Sequence, residues 1–98
     1  MTLPERVLDD LWNVINDRFE HPKDSSYISC LVSTEKGFDN TLEKIGEEAT
    51  EFIIAAKNGD RGRIISEAAD LQFHFLIALR AYGVTFQEVI DELSSRRR

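Results

Sequence analysis

The sequence predicts an all-α protein, a helical bundle of four to five helices. Three observations carry this. Apolar residues recur at helical spacing through most of the chain. Two long helical segments, 39–58 and 61–82, are separated only by Asn58, Gly59 and Asp60, where Asn-Gly reads as a helix C-cap and chain reversal. The one stretch with strand-like composition, Tyr27 to Thr34, has no second strand candidate to pair with. Ninety-eight residues are expected to form one domain over 1–98, with a core near the small end of what folds alone. The segment Ile64 to Leu79 is apolar nearly all round and has more surface to bury than one small monomer covers. The bundle is therefore expected to be completed by homodimerisation, as a homodimer or a dimer of dimers.

Thr2, Pro4 and Glu5 form a helix start, with proline in the first turn and an acid near the positive end of the helix dipole. Val7, Leu8, Leu11, Trp12, Val14, Ile15 and Phe19 give this first helix a broad apolar face, and His21-Pro22 ends it. After the polar loop 22–26, a short helix is expected from Ser25 or Ser26, ended by Gly37. The third helix takes Asp39 or Asn40 as N-cap. Its expected buried stripe is Leu42, Ile45, Ala49, Phe52, Ile53 and Ala56, with Lys44, Glu48 and Glu51 on the flank and Ile54 on the far side. Gly46 lies inside this helix, where glycine costs about 1 kcal/mol relative to alanine. The fourth helix runs to Tyr82-Gly83. Thr85 and Glu88 then form a capping box for a fifth, which buries Phe86, Val89, Ile90 and Leu93 and ends in Arg96, Arg97 and Arg98.

The net charge of −6 argues against a nucleic-acid or anionic-membrane binder, while leaving room for an anionic small molecule that arrives with divalent ions. A single cysteine, Cys30, makes no internal disulfide. The opening lacks a basic-then-apolar signal and no apolar run is long enough to cross a bilayer, so a cytoplasmic location is expected.

Four acids stand out. Glu48 and Glu51 on the third segment, and Glu67 and Asp70 on the fourth, are pairs spaced three apart, and each pair shares a helix face. If the segments fold back about Gly59, Glu48 lies eleven residues before the turn and Asp70 eleven after it, with Glu51 and Glu67 eight before and eight after. The acids then stand at matched heights, roughly 12 to 17 Å from the turn at about 1.5 Å per residue. Arg63, Glu67, Asp70 and His74 form a polar row on an otherwise apolar rod. A carboxylate buried there must find a counter-charge, take up a proton or bind a metal. Carboxylate-only ligation selects Mg²⁺, with Mn²⁺ as the alternative. A single such pair is more often a solvated face; two pairs at matched heights favour the metal site.

The run Lys44-Ile45-Gly46-Glu47-Glu48-Ala49-Thr50-Glu51, followed by Glu67-Ala68-Ala69-Asp70, resembles the E-x-x-E…E-x-x-D signature of the all-α nucleoside triphosphate pyrophosphohydrolases, the MazG-like superfamily. Within it the chain most resembles the phosphoribosyl-ATP pyrophosphatase family of histidine biosynthesis. Ser26-Tyr27, Gly37, Ala55-Ala56-Lys57 and Asp70-Leu71 with His74 carry the narrower match. The resemblance implies a dimeric helical bundle that binds Mg²⁺ through Glu48, Glu51, Glu67 and Asp70 and releases pyrophosphate from phosphoribosyl-ATP. On that reading one of the acids is expected to orient or deprotonate the attacking water, with Glu48 and Glu51 as catalytic candidates and Glu47 as an additional one whose plainer reading is a solvated surface acid; Lys44, Lys57 and Tyr27 are the expected substrate contacts. An ion pair of Lys44 with Glu48 and a satisfied core role for His74 are the plainer readings of those two residues.

Three other readings stay open on the residues alone. One keeps the fold and hydrolyses free or non-canonical nucleoside triphosphates as a house-cleaning enzyme. Another is a di-iron bundle, which would use Glu-x-x-His where this chain has Glu67 followed by Asp70, with His74 too far along. The last is a non-catalytic helical interaction module, which predicts no stability gain with Mg²⁺.

Overall fold

A computed structural model describes residues 4–34 and 36–97. Five helices follow in order: α1 (Pro4–Glu20), α2 (Tyr27–Val32), α3 (Asp39–Asn58), α4 (Arg61–Ala81) and α5 (Phe86–Ser95). Among the described residues there is no strand, and no helix is long and apolar enough to cross a membrane. The expected start signal at Thr2 lies outside the described residues.

The organising unit is the α3–α4 hairpin, the most extensive helix pair in the molecule. It reverses where the sequence predicts, at Gly59, whose left-handed backbone (φ 68°) lets its N–H reach the Ala55 and Ala56 carbonyls. Asp60 then caps α4, its carboxylate accepting from the Arg63 N–H at 3.2 Å. Tyr27–Val32 is helical, with Ser26 as its N-cap. At α5 the capping box is complete: Thr85 Oγ1 accepts from the Glu88 N–H at 3.1 Å, and Glu88 Oε1 accepts from the Thr85 N–H at 2.9 Å.

The expected buried face of α5 is not closed: Phe86 and Val89 are half-buried, while Ile90 and Leu93 are 39% and 61% exposed. Three further local expectations are corrected. Neither Asp39 nor Asn40 caps α3; Phe38 stands at that position without a side-chain cap. The reason is the turn before it, in which the carbonyls of Lys36, Gly37 and Phe38 already accept the N–H groups of Asp39, Asn40 and Thr41. Freed from capping, the Asn40 amide donates to the Leu31 carbonyl and to Thr34 Oγ1, tying α3 to the end of α2. Gly37 does not end α2, which stops at Val32; its φ of 57° shapes the entry to α3 instead. Third, α3 is rotated from the expected stripe. Its buried residues are Thr41, Glu48 and Ala55, seven apart, while Leu42 and Ile53 are exposed together with Ile54. Glu48 thus lies on the inward line rather than the flank.

The apolar core gathers at the other end of α4. Leu76 and Ile77 are enclosed by Ile15 from α1 and by Ile28 and Leu31 from α2, with Trp12, Phe19, Phe73 and Phe86 packed around them. Towards the Gly59 turn Ala55 is buried, but Ile53 and Ile65 are 58% and 59% exposed.

Candidate metal and substrate site

The rotation of α3 brings Glu48 against α4. Glu48, Glu67 and Asp70 each offer one carboxylate oxygen within 4.8 Å of the other two. Asp70 is exposed, whereas Glu48 and Glu67 are only 7% and 9% exposed. One oxygen of each buried acid, Glu48 Oε2 and Glu67 Oε2, has no hydrogen-bond partner. A cation reaches each acid from one turn before it on its own helix: Lys44 Nζ lies 3.8 Å from Glu48 and Arg63 3.6 Å from Glu67. Both cations are longer than hydrogen-bond distance, so they offset charge without satisfying the orphaned oxygens.

Three carboxyls in this space cannot all stay ionised. Burial, the contact with Glu67 and the charges of Glu51 and Asp70 push Glu48 up to about 7. The same Glu48 contact, helped by Glu51 and Arg63, holds Glu67 below the usual carboxylate range. Glu48 is therefore the proton carrier and Glu67 the standing anion. A divalent cation would do the work of that proton and would also satisfy the two unpartnered oxygens. The donor set fits: oxygen only, anionic, and open to solvent through Asp70.

The other acids lie outside this trio. Glu51 is exposed on the next turn of α3, near enough to act on both Glu48 and Glu67. Glu47 pairs with Lys44 at 3.3 Å, and this contact raises the Lys44 pKa. Glu47 and Glu51 line an open concavity of about 630 Å³ along α3, with Glu43, Gly46 and Thr50. The ion pair of Lys44 with Glu48 is present, as the plainer reading held. Lys57 stands exposed in the last turn of α3, nine residues and about 13 Å along the axis from Glu48, and is not brought to the trio within one chain.

Beneath Asp70 lies His74, buried and satisfied at both nitrogens. Nδ1 is 2.8 Å from the Asp70 carbonyl oxygen, and Nε2 is 2.7 Å from the Tyr27 hydroxyl. The Tyr27 ring stacks on Phe73. This link joins residues 47 apart, and no local pattern in the sequence announces it.

The family described as phosphoribosyl-ATP pyrophosphohydrolase matches residues 8–97, which include every residue of the site. The chain belongs to the phosphoribosyl-ATP pyrophosphohydrolase family. Curated relatives of this family bear the name phosphoribosyl-ATP pyrophosphatase. The protein of Methanosphaerula palustris is 56% identical over 94% of this chain and 93% of its own length. That of Methanoculleus marisnigri is 52% identical over 94% and 95%. That of Methanoregula boonei is 53% identical over 95% and 89%.

Proposed function

We propose that the protein hydrolyses phosphoribosyl-ATP to phosphoribosyl-AMP and pyrophosphate with Mg²⁺, an early cytoplasmic step of L-histidine biosynthesis. The observation that carries this reading is the pair of buried, unpartnered carboxylate oxygens on facing helices, in a chain of this family. Glu48, Glu67 and Asp70 would hold the ion, with Glu51 joining from the adjacent turn. The ion these acids would hold, Mg²⁺ or Mn²⁺ in its place, would supply charge neutralisation of the triphosphate and Lewis-acid activation of the phosphoanhydride. Glu51 is the first choice to orient the attacking water and accept its proton, because it borders the trio and no ion pair occupies it among the described residues. Glu47 is the second, held back by its pairing with Lys44. Once the acids are neutralised, Lys44 is free to turn from them to a substrate phosphate. Tyr27 borders the trio through His74 and contacts the nucleoside side of the substrate. Lys57 is assigned to substrate on the family resemblance.

The exposed Leu42, Ile53, Ile54 and Ile65 on the α3–α4 hairpin support a second copy docked there, making a homodimer or a dimer of dimers.

The test is pyrophosphate release by the purified protein with Mg²⁺, comparing phosphoribosyl-ATP with ATP and dCTP under a chelator control. Chelator-sensitive turnover of phosphoribosyl-ATP alone is the expected result. Turnover of free triphosphates instead moves the protein to a house-cleaning role, and no turnover of any nucleotide overturns the enzymatic reading.

A further inference from the structure

We infer that His74 is a positioning residue that fixes the Tyr27 hydroxyl as an oriented hydrogen-bond acceptor, so that Tyr27 reads an uncharged donor on the sugar or base of the nucleotide and not its phosphates. The inference rests on the functional reading above and deepens it.

The hydrogen-bond directions follow from chemistry. A backbone carbonyl only accepts, so the 2.8 Å contact with the Asp70 oxygen puts the ring proton on Nδ1. In the neutral imidazole Nε2 is then an acceptor, and the 2.7 Å contact makes the Tyr27 phenol the donor. With its one proton committed to His74, the phenol oxygen has only lone pairs left to offer. Tyr27 also stays protonated: burial of the hydroxyl raises its pKa, and although Lys44 works the other way, Glu48, Asp70 and Glu47 add to the rise.

The ring is held as firmly as its hydroxyl. Tyr27 stacks on Phe73 with centroids 6.0 Å apart and meets His74 edge-on at 5.7 Å. Phe73 and His74 themselves make an edge contact at 5.2 Å. Half of Tyr27 nevertheless remains exposed. A half-exposed aromatic at the first position of α2, clamped by two α4 residues beside the acid trio, is a rigid wall of the site. An acceptor-only oxygen repels phosphate and attracts a hydroxyl or an amino group, which fits the wall to the uncharged part of a nucleotide.

Two isosteric replacements separate the halves of the link. The amide of His74→Gln occupies the Nε2 position and can still accept from Tyr27, whereas that of His74→Asn occupies the Nδ1 position and keeps only the Asp70 contact. Steady-state kinetics on the turned-over nucleotide, with calorimetric binding of ATP and of inorganic tripolyphosphate in Mg²⁺, read the outcome. Tyr27→Phe and His74→Asn are expected to raise KM about 3- to 10-fold, the worth of one neutral hydrogen bond, with a smaller change in kcat. The double variant is expected to be no worse than either, and His74→Gln to recover most of the affinity. ATP binding should weaken in step while tripolyphosphate binding holds, because tripolyphosphate carries no sugar or base. These binding comparisons stand even if phosphoribosyl-ATP is not turned over, which separates failure of this inference from failure of the functional reading. Equal loss of ATP and tripolyphosphate affinity overturns the assignment to an uncharged donor. Lower melting temperatures with unchanged KM and ATP affinity in every variant overturn the positioning role.

Discussion

Replacing Glu48 by glutamine should make the metal-free protein more stable and the metal-treated protein less responsive. In the absence of a cation the folded protein holds Glu48 protonated up to about pH 7, against an ordinary value of 4.5. Below pH 4.5 the carboxyl is protonated in both folded and unfolded chains and contributes no slope. Between 4.5 and about 7 the folded state carries a proton that the unfolded state lacks, so stability falls as pH rises through that window. At 1.36 kcal/mol per pKa unit the full loss is about 3 kcal/mol. That is an upper bound, since solvent screens a site with an exposed member. The depressed Glu67 has the opposite sign: its contribution is present above its unfolded value and is lost only at lower pH, as pH falls through the folded value, so it does not cancel this slope. Glutamine imitates the protonated acid, so at pH 8 with chelator Glu48→Gln should gain on the order of 2 kcal/mol, raising Tm by roughly 10 °C. At pH 4.5 the two proteins should melt together. Saturating Mg²⁺ at about 100 times Kd should stabilise the native sequence by about 2.7 kcal/mol and the variant by much less. Thermal melts across pH, with and without Mg²⁺, decide it. A variant equally or less stable at pH 8 in chelator, or one that Mg²⁺ stabilises as much as the native sequence, refutes the shared-proton account of the site.

Mg²⁺ titrated into the protein at pH 6.5 should release a fraction of a proton up to about one per site, as Glu48 surrenders its proton to the ion; calorimetry in buffers of different ionisation enthalpy measures the number. Asp70→Asn should lower turnover by at least about 100-fold and weaken Mg²⁺ stabilisation while leaving metal-free stability within about 0.5 kcal/mol, because Asp70 is exposed. Thr85→Ala should cost about 1 kcal/mol, seen as a Tm lower by roughly 4 to 8 °C, since it removes both contacts of the Thr85 hydroxyl and leaves only the Glu88 carboxylate on the backbone N–H of that position. Ile53→Asp should shift the oligomer towards monomer in light scattering; unchanged mass would move the subunit contact away from the outer face of α3.

Features set by neighbours in the chain were legible from sequence. The turn at Gly59 and the capping box at Thr85 depend on a few adjacent residues, whereas the helical state of Tyr27–Val32 followed from the want of a second strand to pair with, against its own strand-like composition. The rotation of α3 was not, because that helix carries apolar residues on two faces. Periodicity favoured the line through Leu42 and Ile53, whereas packing against α4 chose Thr41, Glu48 and Ala55. The same rotation explains why Glu48, Glu67 and Asp70 meet while Glu51 borders them. Asn40 was misread for a related reason, since a turn three residues upstream had already met the need a cap would fill. The Tyr27–His74 contact spans 47 positions and is a product of tertiary structure alone.

The core at the α1–α2 end of α4 and the acids nearer the Gly59 turn divide the labour of this small chain. Cohesion is supplied at one end of the rod and electrostatic tension is kept at the other, with His74 at the border. Backbone amide exchange should therefore grade along α4, slowest around Leu76 and Ile77 and fastest towards Arg61. Such a gradient lets the reactive half be rewritten by substitution without unravelling the half that keeps the chain folded. A chain of 98 residues can in this way tolerate two buried carboxylates side by side.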